Sequence, residues 1–124
     1  NPLIITSSSG RTIDAVDALT GLAEAGGIGV VSFNPEYMNI SPGHYCHQGF
    51  SPDPNIQESD LILVIDCDVP WYPSVNKPDE STTIVNIGID PLYSKYPIRT
   101  FKSDITVNSS PDMAMKAISE ELIL

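Results

Sequence analysis

Two short apolar runs, Leu61–Ile65 (LILVI) and Ile84–Ile89 (IVNIGI), constrain this chain more than any other feature. Both are too short for helices, both are rich in Ile and Val, and each is followed by an acidic residue and a turn. Runs that are apolar on both faces predict strands buried on both sides, as in a parallel sheet covered by helices. In such sheets ligands bind beyond the carboxyl ends of the strands. Asp66, Asp68 and Asp90 are therefore placed where a ligand would be read.

The rest of the chain fits the same pattern. Pro2–Thr6 (PLIIT) reads as the first strand, and Ser7-Ser-Ser-Gly10 as a polar turn. Thr12 is placed to cap a helix, with Asp14 in its first turn. Ile13, Val16, Leu19, Leu22 and Ala23 fall on one helical face, and Gly26-Gly27 ends it. Gly29–Phe33 is a second strand, so the first third reads as a βαβ unit. Asn34–Asp53 is long, irregular and interrupted by Pro35, Pro42, Gly43, Gly49 and Pro52. A loop of this length in a small domain usually serves or covers a site. Pro54–Glu58 predicts a short helix before a third strand at Leu61–Cys67. Val69–Ser81, with three prolines, is a loop. Thr82–Ile89 is the fourth strand, Pro91–Tyr96 a helical turn, and Asp104–Val107 a brief fifth strand. Ser110-Pro111-Asp112 is a strong helix start, and Ala114, Met115, Ile118 and Leu122 supply that helix's buried face.

At 124 residues the chain is expected to be one domain, residues 1–124. It carries 16 acidic and 6 basic residues, a net charge of −10. That balance argues against nucleic acid and against an anionic membrane surface, both of which require clustered Lys and Arg. Two cysteines, Cys46 and Cys67, make no disulfide framework, and Cys67 reads as a small core residue. No apolar run approaches the length of a membrane span or a secretory signal, so the expected location is the cytoplasm. The sequons at Asn39 and Asn108 are then coincidental. The chain opens on Asn1 and runs directly into a strand, which suggests a piece of a longer polypeptide; a processed terminus would look the same.

Several clusters carry potential chemistry. Ser7–Gly10, between strand and helix, could hold a phosphate on backbone N–H groups and the helix dipole. No complete dinucleotide or P-loop glycine motif accompanies it, and an ordinary serine-rich turn is the simpler reading. His44-Tyr-Cys46-His47 has zinc-ligand chemistry but lacks a fourth ligand and the usual spacing, so no metal is expected there. Cys46 as a nucleophile beside His44 or His47 is weaker still, because catalytic partners normally meet through the fold. Asp66 and Asp68, at i and i+2 of a strand, would point the same way and could act as paired carboxylates. Asp90 could accept from a ribose or cap the following turn. Trp71, Tyr72 and Tyr93 could line a pocket or an interface.

Read in order, PLIIT, a helix, GVVSF, a long glycine-containing loop, Glu58-Ser-Asp-Leu-Ile-Leu63 and Ile87-Gly-Ile-Asp-Pro91 resemble the central domain of thiamine diphosphate-dependent enzymes of the acetolactate synthase type. The resemblance covers nearly the whole chain. It implies an α/β, Rossmann-like three-layer domain: a mostly parallel sheet of five to six strands with helices on both faces. It implies a fragment of a larger multidomain enzyme acting on 2-keto acids as an oligomer. Thiamine diphosphate and Mg²⁺ would then be bound by flanking domains, and no catalytic residue would lie in this one. Some family members hold FAD or ADP in the central domain. Here Ser7-Ser-Ser-Gly10 replaces the usual glycine-rich turn, Asn108-Ser109 replaces Gly-Asp, and no arginine follows the third strand, each departure removing a contact to FAD. The residues expected to line any residual nucleotide pocket are Ser8, Ser9, Gly10, Asn34, Asp66 and Asp90. Two alternatives stand beside this reading. One is a free-standing nucleotide-binding module, such as a small accessory subunit of a redox complex; the epsilon subunit of carbon monoxide dehydrogenase complexes is similar in topology. The other is a small metal-dependent hydrolase using His44, His47 and Asp66.

Overall fold

The first strand, β1 (Pro2–Thr6), is apolar from Pro2 to Ile5 and buried from Leu3 onward, so it must be covered from both sides. The structure, a computed structural model describing residues 1–89 and 101–123, places it near the centre of a six-stranded sheet. The other strands are β2 (Gly29–Ser32), β3 (His47–Gly49), β4 (Leu61–Ile65), β5 (Thr83–Gly88) and β6 (Ile105–Asn108). Their order is β3-β2-β1-β4-β5-β6, and every neighbouring pair is parallel. The register sets Leu3 opposite both Gly29 and Ile62, and Ile5 opposite Val31 and Val64, so apolar side chains line up in rows across each face. This is the Rossmann-like α/β sheet expected from the sequence. Asp90, Tyr93 and the turn expected at Pro91–Tyr96 lie outside the described residues.

The strand order also decides which face each connection crosses. From β1 to β2 to β3 the chain steps one way along the sheet; from β3 to β4, β5 and β6 it steps the other way. Because such crossovers are right-handed, the two sets of connections must lie on opposite faces. One face is covered by α1 (Ile13–Gly26), joined by Ile40 and Cys46 from the β2–β3 connection. The other is covered by Ile56 from the β3–β4 connection, Trp71 from β4–β5 and Phe101 before β6. After β6 the chain turns back, and α2 (Pro111–Ile123) packs beside α1 on the first face through Ala114 and Met115.

Helix α1 follows from local chemistry. Thr12 is extended (φ −132°) and its hydroxyl accepts from the Ala15 N–H, satisfying one of the free donors of the first turn. Gly27 closes the helix in the left-handed region (φ 60°), where glycine carries no Cβ penalty, and its N–H bonds the Ala23 carbonyl. Leu19 and Leu22, both 0 % exposed, face the sheet; each contributes about 1.5–3 kcal/mol by leaving water.

Among the described residues both helices share one face. Two expectations change. Turns replace the helix expected at Pro54–Glu58; the N–H groups of Asn55 and Ile56 both bond the Pro52 carbonyl, and no helical ladder continues from them. Finally, β3 has no counterpart in the sequence reading. It is a three-residue edge strand, paired irregularly with β2 and only partly buried, so it leaves no hydrophobic pattern to read.

Candidate functional site

The sheet order reverses between β1 and β4, and the crevice beyond their carboxyl ends is where this fold holds nucleotides. Parallel pairing brings Thr6 level with Ile65 and Ser32, so the turns after β1, β2 and β4 meet there. The structure brings together five of the six residues singled out for this pocket: Ser8, Ser9, Gly10, Asn34 and Asp66. The sixth, Asp90, lies outside the described residues.

Both strand ends on either side of β1 turn sharply. Asn34 (φ 46°) and Asp66 (φ 48°) occupy the left-handed region, which their short polar side chains tolerate better than most. The turns are bound to one another. The Ser8 N–H donates to the Asp66 carbonyl at 3.0 Å, and the Glu36 N–H to the Ser7 carbonyl at 3.1 Å. Ser7 Oγ donates to the Asn34 carbonyl at 2.9 Å, and Asn34 Nδ2 to the Tyr72 hydroxyl at 3.1 Å.

At the centre is Asn39, 1 % exposed. Its Oδ1 accepts from the Gly10 N–H at 2.7 Å and from Ser9 Oγ at 3.4 Å, while its Nδ2 donates to the Ser7 carbonyl at 3.0 Å. Thr6 Oγ1 completes the network by donating to Ser9 Oγ at 2.7 Å. Arg11, at the mouth, binds Asp66 Oδ2 through Nε at 3.2 Å and lies over the Tyr37 ring at 5.5 Å. The hydrogen bond and charge of Asp66 raise the guanidinium pKa above its ordinary value.

The paired-carboxylate reading is corrected here. The strand ends at Ile65 and Asp66 takes a positive φ, so the alternation that would align Asp66 with Asp68 no longer applies. Asp66 binds Arg11, whereas Asp68 Oδ1 accepts from the Val69 N–H at 2.9 Å. The metal-hydrolase reading fails for a topological reason. His44 binds Glu24, near the carboxyl end of α1, whereas Asp66 sits at the opposite end of the sheet. His44 Nδ1 accepts the Cys46 N–H at 3.0 Å, which puts its hydrogen on Nε2, 2.8 Å from Glu24 Oε1. Cys46 is buried, with Sγ 3.7 Å from the Ala23 carbonyl. No group of three or more His, Cys, Asp or Glu able to hold a metal occurs among the described residues.

Trp71 is mainly a core residue, 4 % exposed and edge-on to Phe101, and it also lines a pocket. It forms the floor of a surface cleft of about 190 Å³ bordered by Lys77 and Lys102. A second cleft, about 310 Å³, opens beside the crevice between Glu36, Tyr37, Met38 and Phe50. Sequence reasoning missed Asn39 and Arg11. Asn39 stood out only as a sequon, and its burial rules out modification in the folded state. No described helix is long and apolar enough to cross a membrane.

No family model matches the chain, and no curated protein matches it in sequence. A solved structure from Mycobacterium smegmatis, described as that of a candidate thiamin diphosphate-dependent enzyme, superposes with a TM-score of 0.74 at 19% identity over 97% of this chain. The chain spans only 24% of that protein's length. At this identity the likeness establishes the shared fold.

Proposed function

We propose that this chain is the central domain of a thiamine diphosphate-dependent enzyme acting on 2-keto acids, of the acetolactate synthase or 2-keto acid decarboxylase type. The observation that carries the reading is the match of 97% of the chain to 24% of a candidate thiamin diphosphate-dependent enzyme. The motifs Glu58-Ser-Asp-Leu-Ile-Leu63 and Ile87-Gly-Ile-Asp-Pro91 support it independently. In this reading the parent enzyme carries thiamine diphosphate and Mg²⁺ on flanking domains, acts in the cytoplasm and forms a homo-oligomer.

The domain's own role is structural. Its candidate site holds a closed hydrogen-bond network in which Asn39, Ser9 and Asp66 all have partners within the chain. A general base or nucleophile would have to be released from such contacts before it could act. Rigidity at the strand ends instead suits a spacer that holds two cofactor-binding domains at a set separation. The filled turn also counts against the free-standing nucleotide-binding module.

The test is the native polypeptide. An antibody against this chain should detect a product several times larger than 13.4 kDa in source cells. That product, purified, should bind thiamine diphosphate with Mg²⁺ and consume a 2-keto acid, while residues 1–124 alone bind no thiamine diphosphate. A native product near 13.4 kDa would overturn the reading.

A further inference from the structure

A dinucleotide bound at the end of β1 needs two things from this fold: free N–H groups in the turn, and close approach of the phosphate to the backbone. Neither is present. The Gly10 N–H is donated to Asn39 Oδ1 at 2.7 Å, and the Ser8 N–H to the Asp66 carbonyl at 3.0 Å. The space above Gly10 is filled by backbone. A Cβ added there would overlap the Met38 carbonyl and come within 2.8 Å of Asn39 Cα. No phosphate can approach Gly10 from that side. Glycine at this position serves close packing of the chain against itself, not approach of a ligand.

We propose that Asn39 is an internal occupant of the anion position, its carboxamide oxygen taking the hydrogen bonds that a ligand phosphate would take. The crevice at the β1–β4 switch point is thereby closed to FAD, ADP and free phosphate. The amide suits the task better than a carboxylate would. Its oxygen satisfies Gly10 and Ser9, while its nitrogen satisfies the Ser7 carbonyl at 3.0 Å, an acceptor that would repel an anion. Arg11 binds Asp66 through Nε and lies over the Tyr37 ring, at the mouth of the crevice and not at Gly10. This inference rests on the geometry of the turn and holds whatever the parent enzyme does.

Amide hydrogen exchange read by NMR on the ligand-free chain tests the Asn39–Gly10 hydrogen bond, and anion titration tests the closure of the crevice. The Gly10 amide should be protected without any ligand. Asn39→Ala should speed its exchange roughly tenfold, the equivalent of one net hydrogen bond, while β4 and β5 amides stay protected. Asn39→Asp, which retains the acceptor oxygen but loses the donor to the Ser7 carbonyl, should leave Gly10 better protected than Asn39→Ala does and less than the unmutated chain. Calorimetric titration of the unmutated chain with FAD, ADP and inorganic phosphate should give no saturable heat. Micromolar binding of any of these that shifts the Ser8 and Gly10 resonances would overturn the proposal, as would a Gly10 exchange rate indifferent to Asn39→Ala. Should Asn39→Ala fail to fold, the titrations and Asn39→Asp still decide.

Discussion

The two faces of the sheet are equally apolar but differently covered. On one, α1 and α2 lay Leu19, Leu22, Ala23 and Met115 over Ile4, Val30, Leu63, Ile65 and Ile87. On the other, Leu3, Ile5, Val31, Ile62, Val64 and Ile84 are covered by Ile56, Trp71 and Phe101, which all belong to irregular segments. A helix buries a stripe of side chains at a regular spacing, whereas a loop buries single large residues as anchors. The loop-covered face should therefore concentrate its stability in a few positions, and the helix-covered face should spread it.

The sharpest way to break that comparison is Trp71→Ala. Trp71 is 4 % exposed and packs edge-on against Phe101 at 5.5 Å, so its loss should cost about 3–5 kcal/mol in urea unfolding. A loss under about 1 kcal/mol would mean that the loops merely drape the sheet. Leu22→Ala on the helical face should cost about 2–5 kcal/mol, toward the lower end because neighbouring turns of α1 can close on the gap. Thr12→Ala should cost about 1 kcal/mol by removing the acceptor for the Ala15 N–H, and Thr12→Ser should restore most of it. Equal stability of the alanine and serine variants would show that α1 is held by packing alone.

The smallest effect is pH-dependent and concerns the last strand. Asp104 Oδ2 accepts the Ile84 N–H at 2.8 Å and lies 3.4 Å from Lys102 Nζ, tying the start of β6 to β5. The Ile84 N–H, then Lys102, hold the carboxyl pKa below its ordinary value. A carboxylate whose folded pKa is depressed stabilises the fold above its unfolded pKa, near about 4, and loses that contribution as pH falls through the folded value. The stability gap between the unmutated chain and Asp104→Asn should thus be present at neutral pH and close in acid below about pH 4. A gap that persists unchanged into strong acid would remove Asp104 from this role.

Legibility followed the same division as the two faces. Strands β1, β4 and β5 were readable because full burial leaves unbroken apolar runs, and α1 and α2 because one buried stripe leaves a helical period with capping residues at its ends. The edge strand β3 was not readable: it pairs through backbone, and its His-Gln-Gly sequence carries no burial signal. Nor was the covering role of Ile56 and Phe101, since an isolated apolar residue in a loop looks the same buried or exposed. That Ser8, Ser9, Gly10, Asn34 and Asp66 lie together was legible by position alone, because strand ends are legible and the fold gathers them. Asn39 was not, because its contact with Gly10 spans 29 residues and depends on how the β2–β3 connection folds back.

The sequence by itself therefore determined the α/β class, the parallel sheet and the location of the crevice, because hydrophobic period and turn chemistry are local properties. Tertiary structure decided what fills that crevice. Hydrogen-bond partners for Gly10 and Ser9 are chosen by distance in space, and the nearest acceptor proved to be a side chain of the protein's own long loop.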